Sequence, residues 1–493
     1  MLLGAVLLGA ALLAACIGRD TATPRHATLR VGTQDTSEAS SVLTQLLFAE
    51  PLLGLDWHGR ASGRLATDWS WRDGGRTLEV RLRAGVKFHD GVAVNAEIVA
   101  AILQQQRQKD RTGAFEYVTA IEAPDSATLL FRLSRVDAFV VDAVADTLVV
   151  DDNKPDIGTG PFRILTRRPL IQAEKNDDYY RGSPGIDQIR IVTYDTQRAA
   201  WAAMMRGEVD MVQEVNREVV EFLEGASRFE MYSSIRPFYI PLVFNLRHPI
   251  LSHVEVRRAL VESIDRQEIV KRAMRGHGQV ADDPVWPFHW AYNASAQRYT
   301  YDPVGASRRL DAAGLPIRPA TEPGRMPSRF EIKCLFYNKD FQFERIALLV
   351  QRQLAKVGVD LVLEGVDQKT MITRAGRGEF ESYLFQMNSG RSFDWTYRFW
   401  HSPVGAQIYQ NSGYMGVDGA LDQLRKARTD AEVRIAVADL RRRFYEDVPA
   451  AFLAWPEVTR AVDASFDVGD RADPEIFVNL WRWHSAERPD ASR

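Results

Sequence analysis

Apolar and polar residues alternate at every second position in several stretches of the first third of the chain. In WSWRDGGRTLEVRLRAG, Leu78, Val80 and Leu82 alternate with Glu79, Arg81 and Arg83. That period predicts a half-buried strand, and Asp73-Gly74-Gly75 supplies the turn before it. The period then lengthens to that of a helix. Asn95 is placed to cap it, Val94 and Val99 to staple its first turn, and Ile98, Val99, Ile102 and Leu103 to form one apolar face. Asp125-Ser126 turns into a further strand, ATLLFRL. From Gly158 to Val212 the pattern reads strand, strand, helix, strand, the helix covering 197–206 and stopping at Gly207.

Beyond Asn245 capped helices alternate with strands. Ser252 with Glu255 reads as a capping box stapled by Leu251 and Val256, and Asp265 with Glu268 as a second box on a helix ending at Gly276. Asp302-Pro303 opens another helix that stops at Gly314, with Ala306, Leu310 and Ala313 on its inner side. Phe343, Ile346, Val350, Leu354 and Val357 repeat at helical spacing between the strand-like segments EIKCLFY and VDLVLEGV. Strand, helix, strand over 331–364 is a βαβ-like unit, so this half is α/β.

The 493 residues carry 62 Lys+Arg against 65 Asp+Glu, a net charge of −3, with 45% hydrophobic residues. This mixed, near-neutral composition excludes disorder, collagen and coiled coil. With no Lys/Arg block, it also argues against a nucleic-acid partner. The opening segment, MLLGAVLLGAALLAA, is uncharged and shorter than the about 20 apolar residues a membrane span needs, so it reads as a signal-peptide core. It ends in Leu13-Ala14-Ala15-Cys16, which resembles the lipobox of bacterial lipoproteins. Cys16 is accordingly the expected lipidation site, tethering the protein to the bilayer without spanning it. No Lys or Arg precedes the run, a departure from the usual charged leader that is consistent with a start upstream of Met1. The second of the two cysteines, Cys334, alternates inward with Ile332 and Phe336, opposite Glu331, Lys333 and Leu335, and reads as a buried inert thiol.

Signatures of catalysis are missing. The sequence has no GxxxxGK[ST] loop, no GxGxxG after a strand, no HExxH, no CxxC and no GxSxG. The nine histidines are dispersed, and His248, His253, His277 and His289 read as solvated or hydrogen-bonded side chains rather than metal ligands; no cofactor and no metal is expected. Asp282-Asp283 beside a proline reads as a turn rather than an acid/base couple. Aromatic residues are more informative. Trp286, Phe288, Trp290 and Tyr292 alternate in one segment, and Phe393, Trp395, Tyr397, Phe399 and Trp400 crowd a second. Core packing explains most such clusters. Here flanking Gly, Pro, Asn and Ser suggest loops, which on a rigid scaffold often line ligand clefts.

Five segments carry a family resemblance: LRAGVKFHDGVAVNAEIV at 82–99, GTGPFRI at 158–164, GEVD at 207–210, FNLRHPILSHVEVRRALVESIDRQEIV at 244–270 and YDPVGASRRLDAAGL at 301–315. In that order and spacing the chain resembles the family 5 extracellular solute-binding proteins, the dipeptide, oligopeptide and nickel-binding receptors of ABC importers. The resemblance implies an α/β, two-lobed, periplasmic-binding-protein-like fold of the class II type, with an extra subdomain in lobe one and a cleft between lobes. The expected division is a signal peptide at 1–15, a tether at 16–26, a lobe one core of 27–41, 156–245 and 456–493, the extra subdomain at 42–155 and lobe two at 246–455. The chain would cross near Asn245 and return near Trp455. Function would be non-enzymatic capture of a peptide or peptide-like solute by a monomer that closes about its hinge and delivers to a permease with its ATPase.

Ligand contacts are expected from Asp35, Tyr239 and Trp286, and from Asn388, Ser389, Gly390, Arg391, Asp394 and Trp395. Peptide-binding relatives usually present an Asp in this last loop to pair with the peptide ammonium, and Gly390 stands where that acid would be. Asp394 or Asp35 would have to replace it, while Arg391 suits an anion. A non-peptide solute, a metal chelate or a sensor role on the same fold is the alternative.

Overall fold

One 14-residue strand, Ala450–Asp463, runs through the middle of the molecule and is hydrogen-bonded on both of its halves. The computed structural model describes residues 27–34, 47–110, 113–215, 220, 228–319, 327–402, 409–470 and 474–486. Among these, thirteen strands join into one sheet. The strand Phe229–Ile235 pairs with Glu457 to Asp463, and after Arg236-Pro237 the strand Phe238–Phe244 pairs with Ala450 to Ala454. The chain therefore changes halves at Arg236-Pro237 and returns at Trp455-Pro456. The two crossings are tied together, Arg236 N donating to the Pro456 carbonyl at 2.8 Å.

On one side of this junction lie the parallel strands Met211–Val212, Thr28–Gln34 and Gln188–Tyr194, followed by Ile171–Lys175 and Phe162–Thr166. The helix Gln197–Met205, capped by Thr196 Oγ1 accepting from Ala199 N, makes the crossover, and Arg30 grips Asp210 through Nε at 2.8 Å. On the other side Phe330–Tyr337, the helix Phe341–Ala355 and Val359–Val366 form the anticipated parallel βαβ unit, with Phe343, Ile346, Val350 and Leu354 buried. A third part has a core of its own. The antiparallel strands Ala66–Arg72, Thr77–Leu82, Thr128–Leu133 and Val118–Asp125 enclose Leu78, Val80 and Phe131 against Val99 and Leu103 of the helix Ala96–Lys109. Burying each such side chain contributes roughly 1.5–3 kcal/mol, enough for this segment to keep a separate core.

That third part docks on the second half of the sheet. The buried Arg425 guanidinium grips the buried Asp137 carboxylate by two hydrogen bonds of 3.0 Å, with Tyr117 and Tyr397 against its faces. Arg60 pairs with Asp430 at 2.7 Å, and Trp286 Nε1 donates to the Trp57 carbonyl at 2.8 Å.

Several expectations change. Gly158 to Val212 contains three strands before its helix, because the QIRIVTY segment is a strand of its own beside Ile171–Lys175. The Ser252–Glu255 box does not form: Ser252 Oγ donates back to the Pro249 carbonyl, Glu255 accepts from Arg258 and Arg309, and the N-cap position of Val254–Glu262 falls to His253, which makes no side-chain capping bond. Asp265 does cap Glu268 N, but its own N–H goes to Gln353 Oε1. Ala313 is exposed, since its helix ends at Ala312. The pairing switch at Arg236-Pro237 precedes the expected crossing near Asn245, and the second aromatic segment is a helix, Asp394–Trp400, not a loop. Leu335 is buried together with Cys334 because both faces of the strand are covered. Burial pushes the Cys334 thiol up to about 12.

Asp282 and Asp283 serve separate ion pairs, Asp282 with Arg266 at 3.0 Å and the buried Asp283 with the buried Arg441 at 2.7 Å. Asp283→Ala would leave Arg441 uncompensated in the interior, a loss of about 3–5 kcal/mol. Urea unfolding should show that loss, and Asp283→Leu combined with Arg441→Met should recover most of it.

Candidate functional site

At the crossing of the two halves the chain leaves a cavity of roughly 470 Å³. All three parts wall it. The third part contributes Glu50, Gly54, Leu55, Arg64 and Asp146, the second half Asn388, Gly390, Arg391 and Trp395, and the first half Tyr179, Glu475, Phe477 and Trp481. Pro237 and Phe238, at the crossing itself, complete it. An apolar and aromatic wall interrupted by a few charges at this size lies in the lower part of the range for small-molecule sites, about 300–1,000 Å³.

The loop from the second half is held by its own geometry. Asn388 Oδ1 accepts from Gly390 N at 2.8 Å, and Gly390 turns with φ +63°. A Cβ on Gly390 would stand 3.0 Å from Trp395 Cδ1 as well as in the left-handed region, so glycine is required for this turn. Arg391 reaches out of the loop to the other two parts, pairing with Glu475 and donating to the Leu55 carbonyl at 3.3 Å. Its guanidinium also lies 5.3 Å from the Trp57 ring.

Of the residues expected to touch ligand, Asn388, Gly390, Arg391 and Trp395 are on the cavity wall. Tyr239 is not: fully buried, its hydroxyl accepts from Trp400 Nε1 at 2.7 Å and donates to Met387 Sδ at 3.3 Å. Trp286 is buried at the contact with Trp57, and Ser389 is buried with Oγ donating to the Pro284 carbonyl. Asp394 lies behind the wall, bonded to Arg398 Nε at 2.7 Å. Cys16 and Asp35 lie outside the described residues. The alternating aromatics Trp286 and Phe288 pack with Trp57 as core, and no group of three potential metal ligands occurs among the described residues.

Three acids on the cavity wall, Glu50, Asp146 and Glu475, were missed. Glu50 is buried, and its Oε1 accepts from the Tyr179 and Tyr180 hydroxyls at 2.9 and 3.0 Å; burial raises its carboxyl above the usual range. A lone acid inside the apolar run LLFAEPLLGL was the available signal, since a carboxylate buried there needs partners. Asp146 ends the helix Val140–Asp146 and is solvent-accessible while protein surrounds it, because it opens on the cavity. Desolvation, then the neighbouring Asp394, push it up to about 6, against the pull of Arg398 and Arg391. Nothing in its local sequence marks it.

Residues 60–407 match the family described as bacterial extracellular solute-binding proteins, family 5 Middle, and the chain belongs to that family. It is 24% identical over 451 residues to the oligopeptide-binding protein AppA of Bacillus subtilis, covering 84% of this chain and 82% of the relative. It is 24% identical to the glutathione-binding protein GsiB of Pectobacterium atrosepticum, over 92% of this chain and 93% of that one. The fold is similar to the crystal structure of NikA from Brucella suis in complex with Fe(III)-EDTA, with a TM-score of 0.81, 19% identity, and 93% and 100% coverage of the two chains.

A carboxyl raised in the native state holds its proton where the unfolded chain has lost it, so its effect on stability becomes less favourable as pH rises from about 4 to about 6. In ligand-stripped protein the melting temperature of Asp146→Asn should therefore gain on the wild type across that interval and stay level above it. Parallel melting curves at pH 4.5 and 7 would dispose of the assignment.

Proposed function

We propose that this chain is the lipid-anchored solute receptor of an ABC importer, binding a peptide or peptide-like solute without chemical turnover and presenting it to the permease. The observation that carries the reading is the cavity at the strand crossing, walled by all three parts of the molecule. A solute held there touches every part at once, so its binding energy favours the closed arrangement over the open one. The lobes in this reading are the two halves of the sheet, with residues 42–155 riding as an extra subdomain. The paired crossings Arg236-Pro237 and Trp455-Pro456 act as the hinge, since rotation there needs few torsions to change. Among the described residues no helix is long and apolar enough to cross a membrane. Attachment through an acylated Cys16, outside the cell membrane and as a monomer, supplies the location such a receptor needs.

The cavity's size favours a short solute over a long peptide. A non-peptide solute or metal chelate is the second reading, favoured by Gly390 where peptide-binding relatives would carry an acid. Native mass spectrometry of protein purified from its own host without refolding separates the two: a family of short peptides supports the first, one non-peptide mass the second. Removing that compound should raise the radius of gyration in X-ray scattering and restoring it should reverse the change; an indifferent radius would sink hinge closure. Conversion of the compound to a product would overturn the non-enzymatic assignment. Cys16→Ser should move the protein from the membrane fraction to the soluble one, with Western blotting of the two fractions as the check.

A further inference from the structure

The third part has no covalent connection to the second half. The strands on either side of it in the chain, Thr28–Gln34 and Phe162–Thr166, both belong to the first half. Contacts seat it there as well: Gly160 N donates to the Phe48 carbonyl at 3.0 Å, His89 N to the Gly158 carbonyl at 2.9 Å, and the Tyr179 and Tyr180 hydroxyls to Glu50. A rotation at the crossings Arg236-Pro237 and Trp455-Pro456 therefore carries the third part with the first half. Whatever it touches on the second half has to separate.

Two contacts outside the cavity lie in that gap. In one, the turn at 56–60 enters the second half. The carbonyls of Trp57 and His58 accept from Trp286 Nε1 at 2.8 Å and Trp290 N at 3.0 Å, His58 Nδ1 donates to the Phe288 carbonyl at 3.0 Å, and the Arg60 guanidinium lies 3.6 Å over the Trp290 ring. Gly59 turns with φ +76°, and a Cβ on it would stand 2.1 Å from the Arg391 carbonyl oxygen. The turn is thus seated against the backbone of the loop that brings Gly390 and Arg391 to the cavity. In the other contact Asp137 meets Arg425, Ala138 N donates to the Arg425 carbonyl at 2.7 Å, and Phe139 enters the core of the second half, edge-on to Tyr397 at 5.6 Å. Apart from Arg391, the described residues named in these two contacts stand off the cavity wall.

Such contacts can be made and broken repeatedly. Asp137 and Arg425 are buried while docked, and once parted both ions regain water, which offsets much of what the broken bonds lose. Phe139, 5% exposed when docked, gives up that burial on opening, which favours the closed state.

We propose that the two contacts form a clasp that shuts together with the cleft and adds its own free energy to closing, so that residues remote from the solute set how tightly and how long it is held. The inference rests on the solute-receptor reading and locates part of its affinity outside the cavity.

The test is hydrogen exchange at pH 7.5 of protein isolated from its own host with its cargo, read by mass spectrometry at the amides of Ala138 and Trp290, one in each contact. The two amides should share one degree of protection, below that of the strands Thr77–Leu82 and Phe330–Tyr337, and should lose it together when the cargo is stripped. Asp137→Asn keeps an acceptor for Phe139 N and weakens the pair with Arg425. It should lower the protection of Trp290, in the other contact, roughly ten- to hundredfold, the range expected for a hydrogen bond to a charged group. Trp57→Ala should lower that of Ala138 about tenfold and carries the test if the first variant does not fold. Protection that survives stripping at both amides overturns the clasp, because the third part is then fixed to the second half. An effect of each variant confined to its own contact overturns it too. In either case a bound mass in the native spectrum and a radius that rises on its removal leave the receptor reading standing, whereas a protein that carries no mass and does not change its radius loses both.

Discussion

The arrangement depends on one strand belonging to two structures at once. Ala450–Asp463 is long enough to fill a place in each half of the sheet, so the halves share a rigid element and are separated only by a change of partner. Because a strand leaves ladder groups unsatisfied wherever its partner stops, the neighbouring strand must also break at the same level. It does so at Arg236-Pro237, and Arg236 N is satisfied across the gap by Pro456. Pro237 removes one backbone donor where the ladder is interrupted, while Pro456 sits opposite Gly278 of the strand Gly278–Val280 on the other edge. Pro237 and Phe238, at this break, are part of the cavity wall.

Around that junction the third part works as a cover held by desolvated charge. Arg425 and Asp137 are both buried, and an ion pair taken out of water needs close to ideal geometry and further contacts to compensate for lost hydration. The guanidinium meets this with two hydrogen bonds to the carboxylate and aromatic faces beside it. Such a contact is specific in angle, unlike the apolar contact of Trp57 with Trp286 and Phe288, which supplies area. Together they fix which walls the cavity presents.

Much of the local structure was legible in the residues. Period-two and period-3.6 patterns located the strand Thr77–Leu82, the helices Ala96–Lys109 and Phe341–Ala355 and the βαβ unit, because each depends on its own side chains and caps. Ser252 failed as a capping residue because a nearer carbonyl, that of Pro249, took its hydroxyl, a competition that spacing rules do not see. The Asp394–Trp400 segment reads as a loop because Gly, Pro, Asn and Ser flank it, and its four aromatics among seven residues carry no strong helix preference to oppose that reading. The loop around Gly390 was singled out by its composition, and Asn388, Gly390 and Arg391 of it lie on the cavity wall. Asp146 and Glu475 were not singled out, since each reaches the cavity only through the long-range docking of one part on another. Tyr239 and Trp286 show the converse: both were expected to touch ligand, but each is core, with its polar tip hydrogen-bonded within the protein.

The pairing of Arg391 with Glu475 means that the receptor carries its own tethered competitor. A carboxylate entering the cavity exchanges one salt bridge for another instead of creating a new one, and its gain is the difference between two similar contacts. Glu475 is covalently part of the chain, so it stands at a high effective concentration whenever the arginine is vacated. In the proposed role, release of a carboxylate would be assisted by the same group that resists its capture, which would suit a molecule that must hand over its cargo as well as hold it.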